Sequence, residues 1–301
     1  MRLGPRQLNR TLLGRQHLLE RVDLDPHALV GHLLGLQAQE PMSPYLSLHA
    51  RLASFDPYAV TRALEDRSLV RLLTMRGTIH LLTPQDALTL RPWTQVVIDR
   101  VQRNHEETVP QLARPLVQRP PRGTWKGGGS VDYADLVEWV GQPLREPDVP
   151  GIVRRYLRAF GPASAADVTA WSGVTRLGPV LASMGDLVRH EDEGGKVLFD
   201  VPDGVLTDAD APAPARLLGT YDNLWLSHAA RDRVATPENR RRWMGPNGGS
   251  GMVVLVDGMI EGLWRRRDDR VEVVETFRDL TRRERSELDD EITRVEGLLA
   301  R

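Results

Sequence analysis

The segment LVRLLTMRGTIHLL, residues 69–82, reads as two short strands, Leu69 to Met75 and Thr78 to Leu82, joined at Arg76-Gly77. Four short helices are expected before it: Pro5 to Gly14, Pro26 to Leu36, Pro44 to Ala53 and Pro57 to Asp66. Each carries proline at its start, where the missing N–H has no helical partner to lose. Short helices followed by a β-hairpin give the order of a winged helix. Such a unit sets one helix in the major groove and lays its wing against the phosphate backbone. On that wing Arg71, Arg76 and His80 are candidate DNA-binding residues, although arginine at a wing is as often an ordinary exposed charge. Pro84 to Arg103 resumes helix.

The same order recurs further on. Asp148 to Phe160, Ala163 to Ser172 and Thr175 to Met184 read as three helices, with Ser164 and Asp167 spaced as a capping box. Leu187 to Arg189 and Lys196 to Asp200 flank Gly194-Gly195 as a second hairpin. The prolines at 202, 212 and 214 mark a linker. After it, Met252 to Val256, Met259 to Trp264 and Val271 to Phe277 have strand composition. Asp257-Gly258 is a two-residue hairpin turn, and the charged run Arg265 to Arg270 separates the second strand from the third. Thr281 to Leu299 closes the chain as an amphipathic helix whose charges are read as a solvated face. The expected fold class is α+β, mainly helical, with tandem winged-helix units, a β-rich C-terminal part and a closing helix. The expected division is 1–105 for the first winged-helix unit, 106–147 for a reduced connecting region, 148–205 for the second unit and 206–301 for the C-terminal part.

Chemistry is suggested by Gln37-Ala38-Gln39, which stands where the helix from Pro26 runs out. Pro41 disfavours helical geometry at Glu40, so that helix is expected to end near Gln37 to Gln39. In an extended backbone alternate side chains share a face, so both amides project together while Ala38 turns away. Two neutral amides side by side can hold one water by donating and accepting hydrogen bonds. The plainer alternative is a pair of surface glutamines in a loop.

Several stretches in order carry a resemblance: RQLNRTLLGRQHLLER (6–21), GLQAQEP (35–41), PYLSLHARL (44–52), DRSLVRLLTMRGTIHLLTPQD (66–86), RRYLRAFGPASAADVTAWSG (154–173) and LLGTYDNLWLSHAARDRV (217–234). The series resembles the bacterial winged-helix family that includes the AlkZ-type DNA glycosylases, and the resemblance covers most of the chain. It implies winged-helix units and a β-rich C-terminal part around a DNA channel. In one branch of that family a Gln-apolar-Gln motif positions the hydrolytic water, and in another a Gln-apolar-Asp motif does so. Gln37 and Gln39 match the first. In relatives the region after the first unit is longer and holds a further winged helix. Here only about a dozen residues, Asn104 to Pro115, stand before LVQRPPRGTWKGGG (116–129).

Composition narrows the classes further. The chain has 301 residues, 41% of them hydrophobic and 27% charged, and no cysteine. That excludes disulfides, a thiol nucleophile, iron–sulfur clusters and thiolate zinc. No apolar run reaches the roughly 18–20 residues of a membrane span, and arginines at 2, 6, 10 and 15 interrupt any signal core. A cytoplasmic location is expected. The net charge is −1, but residues 1–126 hold 17 basic and 11 acidic side chains, against 23 and 30 in the remainder. The N-terminal part is therefore the expected DNA-facing half.

A lysine would supply the amine of a Schiff-base glycosylase. The two present, Lys126 and Lys196, lie in a glycine-rich loop and at a hairpin, so a water-based mechanism is favoured. Amides cannot take a proton as a carboxylate would. They suit a purine made cationic by N-alkylation, which leaves without a strong acid, and the resemblance implies the same substrates, bulky adducts and crosslinks included. Asp222 and His228 suggest a base pair of catalytic type, but a structural network is the better reading because no nucleophile lies nearby in sequence. Trp125 reads as a buried loop anchor. The expected function is a monofunctional DNA glycosylase acting on N-alkylated purines with water held by the candidate catalytic residues Gln37 and Gln39. The alternative is a non-catalytic winged-helix DNA-binding protein or regulator. The expected partner is double-stranded DNA, with no cofactor, no metal and no membrane, and the chain is expected to be a monomer.

Overall fold

The computed structural model describes residues 1–244 and 251–301. A short strand β1 (Arg2–Leu3) leads into α1 (Pro5–Arg15) and α2 (Pro26–His32), and β2 (Leu36–Gln37) precedes α3 (Ser43–Arg51) and α4 (Pro57–Glu65). Asp25 and Asp56 cap α2 and α4 by accepting the backbone N–H of Ala28 and Tyr58. Then come β3 (Val70–Leu73), a single 3-10 turn at Met75–Gly77, and β4 (Ile79–Leu82). The helical region beyond breaks at Thr94 into α5 (Pro84–Trp93) and α6 (Gln95–Gln102).

The segment 106–147, expected as a connection, holds α7 (Pro110–Ala113), β5 (Leu116–Gln118), β6 (Tyr133–Asp135) and α8 (Leu136–Val140). Its two strands extend the first sheet, whose order is β2-β4-β3-β5-β6, with β2 at the edge.

The second helical set is α9 (Val149–Phe160), α10 (Ala165–Ser172) and α11 (Gly178–Ser183), followed by the hairpin β7 (Val188–Asp192) and β8 (Val197–Asp200). Both bonds of the Ser164–Asp167 capping box are formed at the start of α10. The N-terminal β1 pairs in parallel with β7, so the chain start closes onto the second hairpin.

The proline-rich stretch after β8 is irregular, and α1 holds it. Arg6 and Arg10 donate to the carbonyls of Ala209 and Ala211, and Arg15 donates to that of Val205. The last part comprises β9 (Arg216–Leu218), α12 (Asn223–Leu226), α13 (Pro237–Trp243), β10 (Met252–Val256), β11 (Met259–Arg267), β12 (Arg270–Thr276) and α14 (Arg282–Leu299). Its sheet order is β12-β11-β10-β9. Asp257 and Gly258 turn with φ of 46° and 75°, both positive as a two-residue hairpin of this kind requires.

Two expectations are corrected here. The charged run Arg265 to Arg270 is mostly strand, because alternating arginines pair with Glu272 across the ladder and only Asp268–Asp269 form the turn. The face of α14 is not wholly solvated, since Glu291 is buried and bonded to Arg21. The chain is an α+β fold with tandem winged-helix units, a β-rich C-terminal part and a closing helix. Apolar side chains from all these parts form one continuous core, with a small satellite at Leu3, Leu8 and Leu198. No helix among the described residues is long and apolar enough to cross a membrane.

Candidate active site

The helix before Gln37 ends earlier than Pro41 suggested. α2 stops at His32, and Leu34 and Gly35 follow in the left-handed region with φ of 54° and 97°. The Gly35 N–H bonds the carbonyl of Val30 and the Leu34 N–H that of Gly31, which is the Schellman closure of a helix end. Leu rather than glycine occupies the left-handed position, so the usual signal is missing. Its side chain is fully buried, which offsets the strain by about 2 kcal/mol of hydrophobic stabilisation. The chain then turns straight into β2. Asn223 Nδ2 holds the Gly35 carbonyl at 2.8 Å, anchoring the turn from the C-terminal part.

β2 pairs with β4 so that Leu36 faces Leu81 and Gln37 faces His80. Ala38 continues the contact: its N–H donates to the Ile79 carbonyl at 2.7 Å, and its carbonyl accepts from Arg71 Nη2 at 2.7 Å. The backbone between the two glutamines is therefore held from both sides.

The amides are held through their oxygens. Gln37 Oε1 accepts from Arg76 Nη2 at 2.6 Å, and Gln39 Oε1 accepts from the Ile79 N–H at 3.2 Å. A guanidinium and a backbone N–H are donors only, so each amide must turn its oxygen inward. Neither Nε2 has a protein partner among the described residues. Gln37 is 6% exposed and Gln39 lies open to solvent. The pair thus presents N–H donors and one remaining carbonyl lone pair each, at the end of an edge strand.

Arg76 makes the junction. Besides Gln37, it donates to the Trp171 carbonyl at the end of α10 and to His80 Nε2 at 3.3 Å. His80 Nδ1 lies 2.9 Å from the Thr78 carbonyl, so Nδ1 carries the proton and Nε2 accepts. Burial, then the Arg76 charge, pushes His80 down to about 3, which keeps it neutral. Burial, then the charge of Arg231, pushes Arg76 down to about 10, still cationic at neutral pH. Trp171 is packed among Trp93, Tyr156 and Phe160 with ring centroids 5.2–6.3 Å away, so its carbonyl is a firm acceptor.

The sequence places Arg71, Arg76 and His80 on the first wing, in reach of phosphates. Arg71 and His80 are instead buried, at 3% and 1% exposure, on opposite faces of the sheet. Arg76 turns inward. The apolar partners on either side of this hairpin, Leu72, Leu73, Ile79 and Leu81, pull it into the core rather than out to solvent.

Other candidates fall elsewhere. Asp222 pairs with Arg51 and Ser47, while His228 bonds Ser227 Oγ and packs beside Tyr156, so the two serve separate networks. Trp125 is buried against Tyr45. Lys126 and Lys196 are partly exposed and lie near Asp269 and Asp167. The residues that composition and spacing did not reveal are Asn223 as an anchor of Gly35 and Arg71 as an anchor of Ala38. Only the folded chain brings them there, across 188 and 33 residues.

Comparison with known proteins follows the same lines. The sequence matches the family model described as DNA glycosylase AlkZ-like over residues 30–114 and 109–298. It is 28% identical to a Streptomyces sahachiroi protein named interstrand DNA cross-link repair glycosylase, over 353 positions that span 94% of this chain and 93% of the relative. That length exceeds the 301 residues here, so the relative carries residues with no counterpart in this chain. The two family matches meet at 109–114, where α7 lies. The solved structure of the Streptomyces sahachiroi DNA glycosylase AlkZ is similar with a TM-score of 0.80 at 23% identity, over 99% of this chain and 98% of that one. At that identity the likeness shows a common fold.

Proposed function

This chain belongs to the AlkZ-like family, and from that membership and the geometry around Gln37 we propose that it is a monofunctional DNA glycosylase for N-alkylated purines, bulky and crosslinked adducts included. The observation that carries the reading is that both motif amides, two residues apart on one strand end, are bonded through their oxygens. Each is held through its oxygen by a donor-only group, which leaves its Nε2 without a protein partner among the described residues.

A water between them can accept one N–H bond, give one proton to a spare carbonyl lone pair and keep a lone pair for attack. The substrate supplies the rest. In an N7- or N3-alkylated purine nucleotide the base is cationic, so the C1′–N9 bond breaks with its electron pair leaving on a neutral base. The sugar becomes cation-like, water oxygen bonds C1′, and the water proton passes to solvent. No strong general base is needed, and neither His80 nor Arg76 offers one at neutral pH. The product is an abasic site in an unbroken strand.

The test is base release from a duplex oligonucleotide carrying one N7-alkylguanine, with abasic sites revealed by alkali. Wild type is compared with Gln37→Ala/Gln39→Ala. Release by the wild type and its loss in a folded, DNA-binding double variant support the reading. DNA binding without release overturns it for that lesion and favours a non-catalytic DNA-binding protein.

A further inference from the structure

We propose that Arg76 is a positioning residue for Gln37, a guanidinium clamp that sets which end of the amide meets the substrate. The proposal rests on the glycosylase reading and adds to it a residue that acts only through another. A glutamine amide has two ends of nearly the same size, and in a symmetric environment both flips are populated. Arg76 removes the choice. Its Nη2 lies 2.6 Å from Gln37 Oε1, and no flip that places Nε2 there can be satisfied by a donor-only partner.

The clamp is itself immobilised. Arg76 shares its donors among Gln37 Oε1, the Trp171 carbonyl and His80 Nε2, three acceptors on two units of the fold. His80 can be an acceptor only when neutral and protonated on Nδ1, and the Thr78 carbonyl selects that form. Trp171 is 2% exposed and fixed by its ring neighbours.

The backbone supports the assignment. Arg76 has φ 54° and ψ 12°, a left-handed conformation that is strained for any residue with a Cβ. Gly77 beside it also has positive φ, and a Cβ there would stand 2.7 Å from Val101 Cγ2, so the turn has room for one side chain only, at position 76. Strain held at one residue whose side chain meets the candidate catalytic amide is the pattern expected of a site under functional constraint.

A guanidinium bound to the carbonyl also polarises the amide and strengthens Nε2–H as a donor toward water. Gln39 has only a backbone N–H for the same purpose. The two amides are therefore inequivalent, with Gln37 the more rigid and the stronger donor.

A double-mutant cycle tests this. Single-turnover base release from the N7-alkylguanine duplex is measured for wild type, Gln37→Ala, Arg76→Met and Gln37→Ala/Arg76→Met, together with the Kd for DNA. Arg76→Met is expected to slow release about 100-fold while DNA affinity stays within about twofold, and the double variant is expected to match Gln37→Ala within about twofold. Losses that multiply in the double variant, wild-type release by Arg76→Met, or a loss of affinity as large as the loss of rate would each overturn it. Arg76→Lys keeps the charge and N–H donors but loses the planar fork, and serves if Arg76→Met does not fold; partial retention of rate in the Gln37 background, absent in Gln37→Ala, is the supporting result.

Failure of the glycosylase reading is separable from failure of the clamp. If wild type releases no base, the clamp is still read from the Gln37 side-chain amide in a 15N correlation spectrum, assigned by its absence in Gln37→Ala. Amide proton shifts displaced from free-glutamine values in the wild type that return to those values in Arg76→Met, and stay partly displaced in Arg76→Lys, support the clamp. Free-glutamine values already in the wild type overturn it.

Discussion

The Arg51 guanidinium and the Asp222 carboxylate meet fork to fork, at 2.8 and 2.7 Å, with both side chains fully buried. They join α3 of the first unit to the segment that opens α12. Ser47 Oγ and the Leu224 N–H also donate to the carboxylate, so all its capacity is spent. Asp222 sits next to Asn223, which holds Gly35.

Removing one side of this pair leaves the other charge buried. Asp222→Ala is expected to lower the unfolding free energy by about 3–5 kcal/mol, read by urea titration. Arg51→Met in the same background should recover part of that loss. A change below 1 kcal/mol for Asp222→Ala would mean that water reaches this pair.

Gly35→Ala should be costly for two reasons. The position has φ 97°, and a Cβ there would stand 2.4 Å from Leu82 Cδ2 and 3.0 Å from the Leu81 carbonyl. A loss of about 2 kcal/mol in stability is expected, with a fall in base release, since β2 must move away from β4. Wild-type release by a folded Gly35→Ala protein would show that the strand tolerates displacement.

The pH profile of base release should be flat where a carboxylate-based or histidine-based enzyme shows a limb. His80, pushed to about 3, stays neutral and Arg76, pushed to about 10, stays charged from pH 6 to 9. Saturating single-turnover rates are expected to vary less than about threefold over that range. A clear acid limb would point to a titrating base and against amides acting alone.

Stability, in contrast, should depend on acid. His49 and His80 are buried and each is pushed to about 3 by desolvation, from 6.5 in the unfolded chain. Above pH 7 neither state binds these protons. As pH falls through 6.5 the unfolded chain takes them up and the folded chain does not, so acidification favours unfolding. Each histidine contributes a slope of about 1.4 kcal/mol per pH unit, down to its folded value. Thermal melts at pH 7.5, 6 and 5 check the sign, and His49→Leu should flatten the slope by one such step.

Much of the fold is legible from punctuation. Prolines at helix starts, the Ser164–Asp167 box and the Asp257-Gly258 turn each act over four residues or fewer, and each stands where local chemistry put it. The end of α2 is not legible, because Pro41 is a local signal, whereas the left-handed Leu34 that ends the helix is held by its burial in the core. β5 and β6 are three residues each and are strands only because β3 is there to pair with. At the site, Gln37 and Gln39 stand out by spacing alone. The partners that orient them do not, since Arg76 looks like any arginine in a hairpin turn until Trp171 and His80 are seen around it.

The contact between Gln39 and the Ile79 N–H gives the motif's two positions unequal freedom. A backbone N–H serves any oxygen that reaches it, so the bond at 39 asks only for an acceptor of glutamine's length. Position 37 has no such latitude. An acid there would close an ion pair with Arg76 and offer water no donor at all. The register of a two-residue edge strand thus ties one amide to the backbone of its neighbour strand and the other to a side chain reaching across from a turn, so the two positions answer to different parts of the fold.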